Sequence, residues 1–176
     1  MGVLAVFLAN YGVNACKVVV KKLKGESIER KQQFSKEAEM LSRISAHENI
    51  PMFLGYSDDG LMMEYAGFDF SPFDSEVVVC NLDNFFYYVD GKFYFNAFAD
   101  ILLVCIKDTV AGLDYLHRHN IVHSDFKPSN VLVSNQHYCY SKDKTFVTEM
   151  YAECPIVGKV ADFGLSRSLD AQSVLR

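Results

Sequence analysis

Two short segments carry most of the side chains that could do chemistry. His123-Ser124-Asp125-Phe126-Lys127-Pro128-Ser129-Asn130 and Asp162-Phe163-Gly164 together supply two carboxylates, a lysine and an asparagine. Asp125 can accept a proton, and Lys127 can neutralise a phosphoryl oxygen. Asn130 and Asp162 are hard oxygen ligands of the kind Mg²⁺ takes. The chemistry open to this set is the positioning of a hydroxyl, a phosphate chain and a magnesium ion.

The pattern of the chain gives the elements that must hold these groups. Val3 to Ala9 and Ala15 to Leu23 read as strands, with Asn10-Tyr11-Gly12-Val13-Asn14 as the turn between them. Ile28 to Ile44 reads as a helix with Phe34, Glu37, Leu41 and Ile44 on one face. Glu37 is then a carboxylate in an apolar stripe. An unpaired buried carboxylate is costly, so the position either calls for a cationic partner or is a boundary glutamate reaching solvent, and the helix alone favours the latter. Pro51 to Tyr56 and Gly60 to Tyr65 read as two further strands around the Ser57-Asp58-Asp59-Gly60 turn. An irregular, aromatic-rich stretch follows from Ala66-Gly67 to Asp74.

A short helix is expected from Leu82 to Val89, stopped by Asp90-Gly91. Asn96 would cap a long helix from Ala97 to about His119, with Phe98, Leu102, Cys105, Leu113 and Leu116 as its apolar positions. Short strands are expected around Val131-Leu132-Val133 and Lys159-Val160-Ala161. The polar and aromatic segment Ser134 to Gly158 would loop outward between them, since its polar residues and Gly158 do not suit a core strand.

Composition bounds the function classes. The chain has 176 residues, 50% of them hydrophobic, which suits a folded chain with one sizeable core or two small lobes. A net charge of −5 argues against a general nucleic-acid binder. Five cysteines, Cys16, Cys80, Cys105, Cys139 and Cys154, are odd in number and irregular in spacing, which reads as reduced thiols in a cytoplasmic protein. His137, Cys139 and Cys154 fit no zinc-site spacing. The apolar start is too short to span a bilayer and follows no basic region, so no membrane association is expected.

The first segment resembles the catalytic loop H-R-D-L-K-P-x-N of eukaryotic protein kinases, and the second matches their D-F-G motif. The resemblance runs from about Val6 to Arg167 and implies an α+β, bilobal fold. Residues 1–66 would form an N-lobe with an antiparallel sheet, helix C and hinge, and residues 67–176 a partial, mainly helical C-lobe. Val18-Val19-Val20-Lys21 resembles the strand motif V-A-I-K, which implies that Lys21 contacts ATP phosphates and that Glu37 of helix C is its partner. Val6 and Val19 would line the adenine pocket, joined by Leu132. Met63 falls at the gatekeeper position. The backbone C=O of Glu64 and N–H of Ala66 would meet adenine.

In the same terms Asp125 would orient the substrate hydroxyl and take its proton, and Lys127 would contact the γ-phosphoryl group. Asn130 and Asp162 would hold Mg²⁺. His123 and Phe163 read as packing residues, and Gly164 as backbone freedom beside the metal ligand. Phe126-Lys127-Pro128 is similar to serine/threonine and tyrosine-kinase-like families. The resemblance therefore implies ATP and Mg²⁺, and a protein Ser/Thr hydroxyl as acceptor. The oligomeric state is not fixed.

The sequence departs from the family at several points. Leu4 falls where the last glycine of the Gly-rich loop would stand, and Met1 where the middle one would. No A-P-E-like sequence follows Gly164, and Ser124 replaces the arginine of H-R-D. The expectation is a domain truncated at both ends, with uncovered apolar faces and little phosphotransfer by residues 1–176 alone. The alternative is a catalytically impaired pseudokinase or nucleotide-binding interaction module.

Overall fold

The computed structural model describes residues 5–11, 16–23, 28–44, 46–58, 60–92 and 98–169. A four-stranded antiparallel sheet in the order β1-β2-β4-β3 comes first: β1 Ala5–Tyr11, β2 Cys16–Lys22, β3 Phe53–Tyr56 and β4 Gly60–Glu64. β1 runs two residues beyond the expected Ala9, because Asn10 and Tyr11 pair with Lys17 and Cys16 in the ladder. Ladder pairing outweighs the turn preference of a single asparagine. The expected turn residues 12–14 and positions 1–4 lie outside the described residues.

Helix α1, Ile28–Arg43, packs beside this sheet. Its inward face carries Phe34, Ala38 and Leu41, all buried against Ile50 and Leu61. The same cluster continues to Leu116, Ile121, Val160 and Phe163, so the sheet, the helix and the Asp162-Phe163-Gly164 segment share one core.

The stretch from Ala66 to Asp74 is more ordered than its composition implied. β5, Phe68–Asp69, pairs with β6, Val78–Val79, around a 3-10 turn at Ser71–Phe73. Its aromatics form the second core, where Phe68, Phe70 and Phe85 are fully enclosed with Phe98 and Ile101. Each such ring contributes roughly 1.5–3 kcal/mol by burial.

α2 spans Leu82–Lys92, so Asp90-Gly91 does not stop it. Gly91 lies in the last turn, where the ~1 kcal/mol propensity penalty of glycine does not break an already formed helix. α3 spans Ala99–Arg118 with Phe98 at its N-cap, which makes no side-chain cap bond; Asn96 lies outside the described residues. The inward stripe of α3 is Ile101, Cys105, Thr109, Gly112 and Leu116. Leu102, expected inside, is 43% exposed and joins Leu103, Ile106 and Val110 on an open apolar face.

Gly112 is needed for close approach. A Cβ there would lie 2.8 Å from the Asn49 carbonyl oxygen and 3.1 Å from Val160 Cγ2. Gly112→Ala should therefore destabilise the fold. The overpacking cost of about 1–3 kcal/mol exceeds the ~1 kcal/mol that alanine normally gains in a helix. A fall in the urea midpoint at constant m-value would register this.

After β7, Ile121–Val122, come a 3-10 turn at Pro128–Asn130 and β8, Val131–Ser134. The segment from Ser134 to Gly158 does not simply loop outward. It contains α4, Lys144–Glu153, started by Asp143, whose Oδ1 accepts from the backbone N–H of Thr145 at 2.9 Å and Phe146 at 3.3 Å. Tyr138 is buried and donates to the Pro155 carbonyl at 2.7 Å, and Ile156 is fully enclosed. Gly158, expected to disfavour a strand, is in β9, Val157–Val160, opposite Val133. Its missing side chain lets the strand approach Asp108 of α3. β10, Arg167–Ser168, then pairs with β7. Among the described residues no helix is long and apolar enough to cross a membrane.

Candidate active site

β2 presents Lys21 to the inward face of α1. Lys21 is 7% exposed, and its Nζ lies 2.7 Å from Glu37 Oε1, so the cation required by the apolar stripe is present. The same Nζ meets Asp162 Oδ1 at 2.9 Å. Burial alone would lower the Lys21 pKa, but the carboxylates of Glu37 and Asp162 outweigh it and hold the ammonium above its ordinary value. Val19, two residues earlier in β2, is partly buried opposite Met63 of β4. Val6 pairs with Lys21 in the backbone register of β1; its side chain is outside the described residues.

The loop after β7 is organised by His123. This ring is buried, accepts the Asp125 N–H at Nδ1 (3.3 Å), and so carries its proton on Nε2, which donates to the Ala161 carbonyl at 2.9 Å. It also packs 5.4 Å from the Phe163 ring. His123 is thus a brace between the two reactive segments, and Phe163 is packing at 4% exposed. Ser124 takes a left-handed φ of 63°, turning the chain so that Asp125 faces the loop interior.

Asp125 Oδ2 accepts from Lys127 Nζ at 2.8 Å and from Asn130 Nδ2 at 3.0 Å. Asn130 Nδ2 also donates to the Asp125 carbonyl at 2.8 Å. The Lys127 ammonium, helped by the Asn130 amide, holds the Asp125 carboxyl below the usual aspartate value, and Asp125 in turn raises Lys127. Asp125 is therefore an ionised acceptor at neutral pH. In the Lys127→Met variant its pKa should rise toward the ordinary value, because the group that favours its charged form is gone. Carboxyl ¹³C titration of the ligand-free protein would register this as an upward displacement of the Asp125 midpoint.

The β8–β9 ladder brings Asp162 to the same place. Ala161 N–H donates to the Asn130 carbonyl at 2.9 Å, so Asp162 leaves the ladder beside Asn130 despite the long segment between them. The left-handed turn of this motif falls on Asp162, at φ 67°, and not on Gly164. Aspartate tolerates that region better than most side chains. The residues fit a magnesium ion. Asn130 and Asp162 offer oxygen donors, and the Asp162 side chain is half exposed. Among the described residues no three His, Cys, Asp or Glu side chains gather into a metal cluster. His137 Nε2 pairs instead with the Cys154 carbonyl.

Glu64 ends β4, and Ala66 follows in the segment before β5, 3% exposed. Leu132 lies in β8, partly buried and bridged to Asn81. Lys159 was not anticipated. It is 7% exposed in β9, with Nζ 2.7 Å from the Glu48 carbonyl and 3.2 Å from Glu64 Oε2. A lysine inside an apolar strand demands a carboxylate as Glu37 demanded a cation, so its signal was present in the sequence.

An antiparallel sheet with a buried strand-to-helix ion pair, set against a loop that holds an aspartate, a lysine and an asparagine beside D-F-G, is the arrangement of a protein-kinase-like fold. The protein kinase domain family matches residues 3–175, and the chain belongs to that family. It is similar to the serine/threonine-protein kinase greatwall of Danio rerio, 37% identical over 68 residues, which cover 39% of this chain and 6% of that protein. It is also similar to the serine/threonine-protein kinase GRIK1 of Arabidopsis thaliana, 44% identical over 55 residues, covering 27% and 14%. A third relative is the meiosis induction protein kinase IME2/SME1 of Saccharomyces cerevisiae, 34% identical over 67 residues, covering 37% and 10%. The matched stretches thus span well under a fifth of each of these relatives.

Proposed function

We propose that this chain is a phosphotransferase that moves the γ-phosphoryl group of ATP to a serine or threonine hydroxyl of a protein. One observation carries the reading: an unbroken polar chain runs through the site. Glu37 holds Lys21, Lys21 holds Asp162, Ala161 holds Asn130, and Asn130 holds Asp125 beside Lys127. Groups that bind phosphates, hold a metal and receive a proton are thereby fixed relative to one another.

In this reading Lys21 orients the α- and β-phosphates, kept in place by Glu37. Asp125 receives the acceptor hydroxyl and takes its proton as the oxygen bonds to the γ-phosphorus and the bond from that phosphorus to the β,γ-bridging oxygen breaks, releasing ADP. Lys127 moves from Asp125 to the γ-phosphoryl oxygens, where it balances charge. Asn130 and Asp162 hold Mg²⁺, which when bound neutralises charge on the phosphate chain. Val6, Val19, Leu132 and the backbone of Glu64 and Ala66 form the adenine slot.

Lys127-Pro128 and the serine/threonine kinases among the relatives support the acceptor class. The −5 charge supports a protein partner over nucleic acid, and we read no membrane role. The unpaired thiols Cys80, Cys105, Cys139 and Cys154 support a reducing, cytoplasmic setting. The test is transfer of radiolabel from γ-labelled ATP to mixed Ser/Thr and Tyr peptides, wild type against Asp125→Ala. Label on tyrosine alone would overturn the acceptor class. Nucleotide binding without any transfer above the variant would replace the enzyme with a pseudokinase.

A further inference from the structure

The segment between β8 and β9 begins with two amides that do more than turn the chain. Asn135 is fully buried, and its side chain exchanges two bonds with the backbone of Asp69. Nδ2 donates to the Asp69 carbonyl at 2.9 Å, and Oδ1 accepts the Asp69 N–H at 2.8 Å. The side chain occupies the place a neighbouring strand would take in a ladder. The Asn135 N–H reaches the Gly67 carbonyl at 3.4 Å, and Gln136 Nε2 donates to that carbonyl at 2.8 Å. Farther along, Tyr140 places its ring 5.2 Å from Lys17 Nζ, which lies 5.6 Å from the Tyr65 ring. The segment therefore grips the backbone just after Ala66, at Gly67 and Asp69.

We propose that Asn135 and Gln136 are positioning residues for the adenine slot, fixing the backbone from Gly67 to Asp69 so that Ala66 presents its N–H in one orientation. The proposal rests on the nucleotide reading above and adds to it which residues outside the slot set its affinity for the base. Gly67 is the reason a restraint is needed. Glycine has the widest backbone freedom of any residue, and here it directly follows the residue that meets adenine. It cannot be replaced by a stiffer residue without displacement, since a Cβ at this position would lie 2.5 Å from the Tyr65 hydroxyl. Restraint must come from outside, and the two amides supply it at the Gly67 carbonyl and on both backbone groups of Asp69. A backbone already held in its binding geometry loses less freedom when the ligand arrives. The effect belongs to the base and not to the phosphates, which are met by Lys21 and the D-F-G segment across the cleft.

The test uses the whole chain and three probes in calorimetric titrations: Mg·ATP, adenosine, and magnesium tripolyphosphate. Asn135→Ala should weaken adenosine and Mg·ATP by about tenfold, the scale of one well-made hydrogen bond, and leave tripolyphosphate unchanged. Lys21→Met should do the reverse, weakening tripolyphosphate and sparing adenosine. Equal losses for all three probes in Asn135→Ala would mean a general loss of structure and overturn the proposal, as would a folded Asn135→Ala with unchanged adenosine affinity. Should Asn135→Ala fail to fold, Gln136→Ala decides by the same criteria, because it removes the bond to Gly67 and the one accepted from the Tyr140 hydroxyl while leaving the Asn135–Asp69 pair in place. Wild type that binds neither adenosine nor Mg·ATP overturns the nucleotide reading and the positioning role together. Wild type that binds both while the variants bind equally well overturns the positioning role alone.

Discussion

Asp125→Ala should reduce phosphoryl transfer by about 10²–10⁴-fold, the range a positioned general base contributes, while Mg·ATP affinity changes little. The carboxylate is poised for this role by its surroundings. Lys127 and Asn130 both donate to Oδ2, and the His123 ring accepts the Asp125 N–H. The charged form is favoured, so Asp125 is ready to receive a proton at neutral pH. Truncation removes the acceptor but leaves Lys127 in a largely solvated position, so the melting temperature should move little. The measurement is a ratio of initial rates on one peptide, which holds however slow the wild type is. Equal rates for the two proteins would remove Asp125 from the chemistry.

The site was legible in the sequence because it is built from local spacing plus one long-range charge argument. Asp125, Lys127 and Asn130 lie on a single loop, and their mutual bonds follow from that proximity. The Lys21–Glu37 pair spans two elements: the helical stripe raised the need for a cation, and the resemblance of Val18-Val19-Val20-Lys21 to V-A-I-K supplied Lys21 as that cation. The same argument applied to Lys159 in its apolar strand would have found Glu64. What the charge argument did not give is that Lys21 serves two carboxylates, because the approach of Asp162 depends on the β8–β9 pairing and on a left-handed turn at a non-glycine residue.

The less legible parts are those where tertiary packing overrides composition. The residues from Ser134 to Gly158 look like a polar loop by residue type. Their contribution to the fold comes from Tyr138 and Ile156, and from an Asp143 cap that a window average hides. Gly158 reads as a strand breaker until α3 is placed against it, when the absence of a side chain becomes the condition for packing. Ile101 takes the inward place expected of Leu102. Cys105 and Leu116 face inward as expected, and a local choice between Ile101 and Leu102 is invisible where Ile101, Leu102, Leu103 and Val104 are consecutive apolar residues.

The ion pair at Lys21 permits an experiment that separates stability from function. Glu37→Ala should destabilise the fold by about 3–5 kcal/mol, the usual cost of stranding one member of a buried pair. The loss should fall toward the lower end, because Asp162 still reaches Lys21, though its side chain is half exposed and shields the cation poorly. Replacing both partners, as Lys21→Met with Glu37→Leu, should recover most of the lost stability. Two apolar side chains of similar volume need no desolvation of charge. Nucleotide affinity should follow the opposite logic and remain low in the double variant, since the phosphate-binding cation is gone. The pH dependence has a defined sign. The Lys21 pKa is raised by folding, so its contribution to stability is complete below the unfolded lysine value near about pH 10, and it is lost as pH rises through the folded value. Urea titrations of wild type, Glu37→Ala and the double variant, run beside Mg·ATP titrations, give both answers. A double variant as unstable as Glu37→Ala would show that the charges themselves, and not their mutual compensation, hold the helix on the sheet. A double variant that binds Mg·ATP like wild type would remove Lys21 from the nucleotide site.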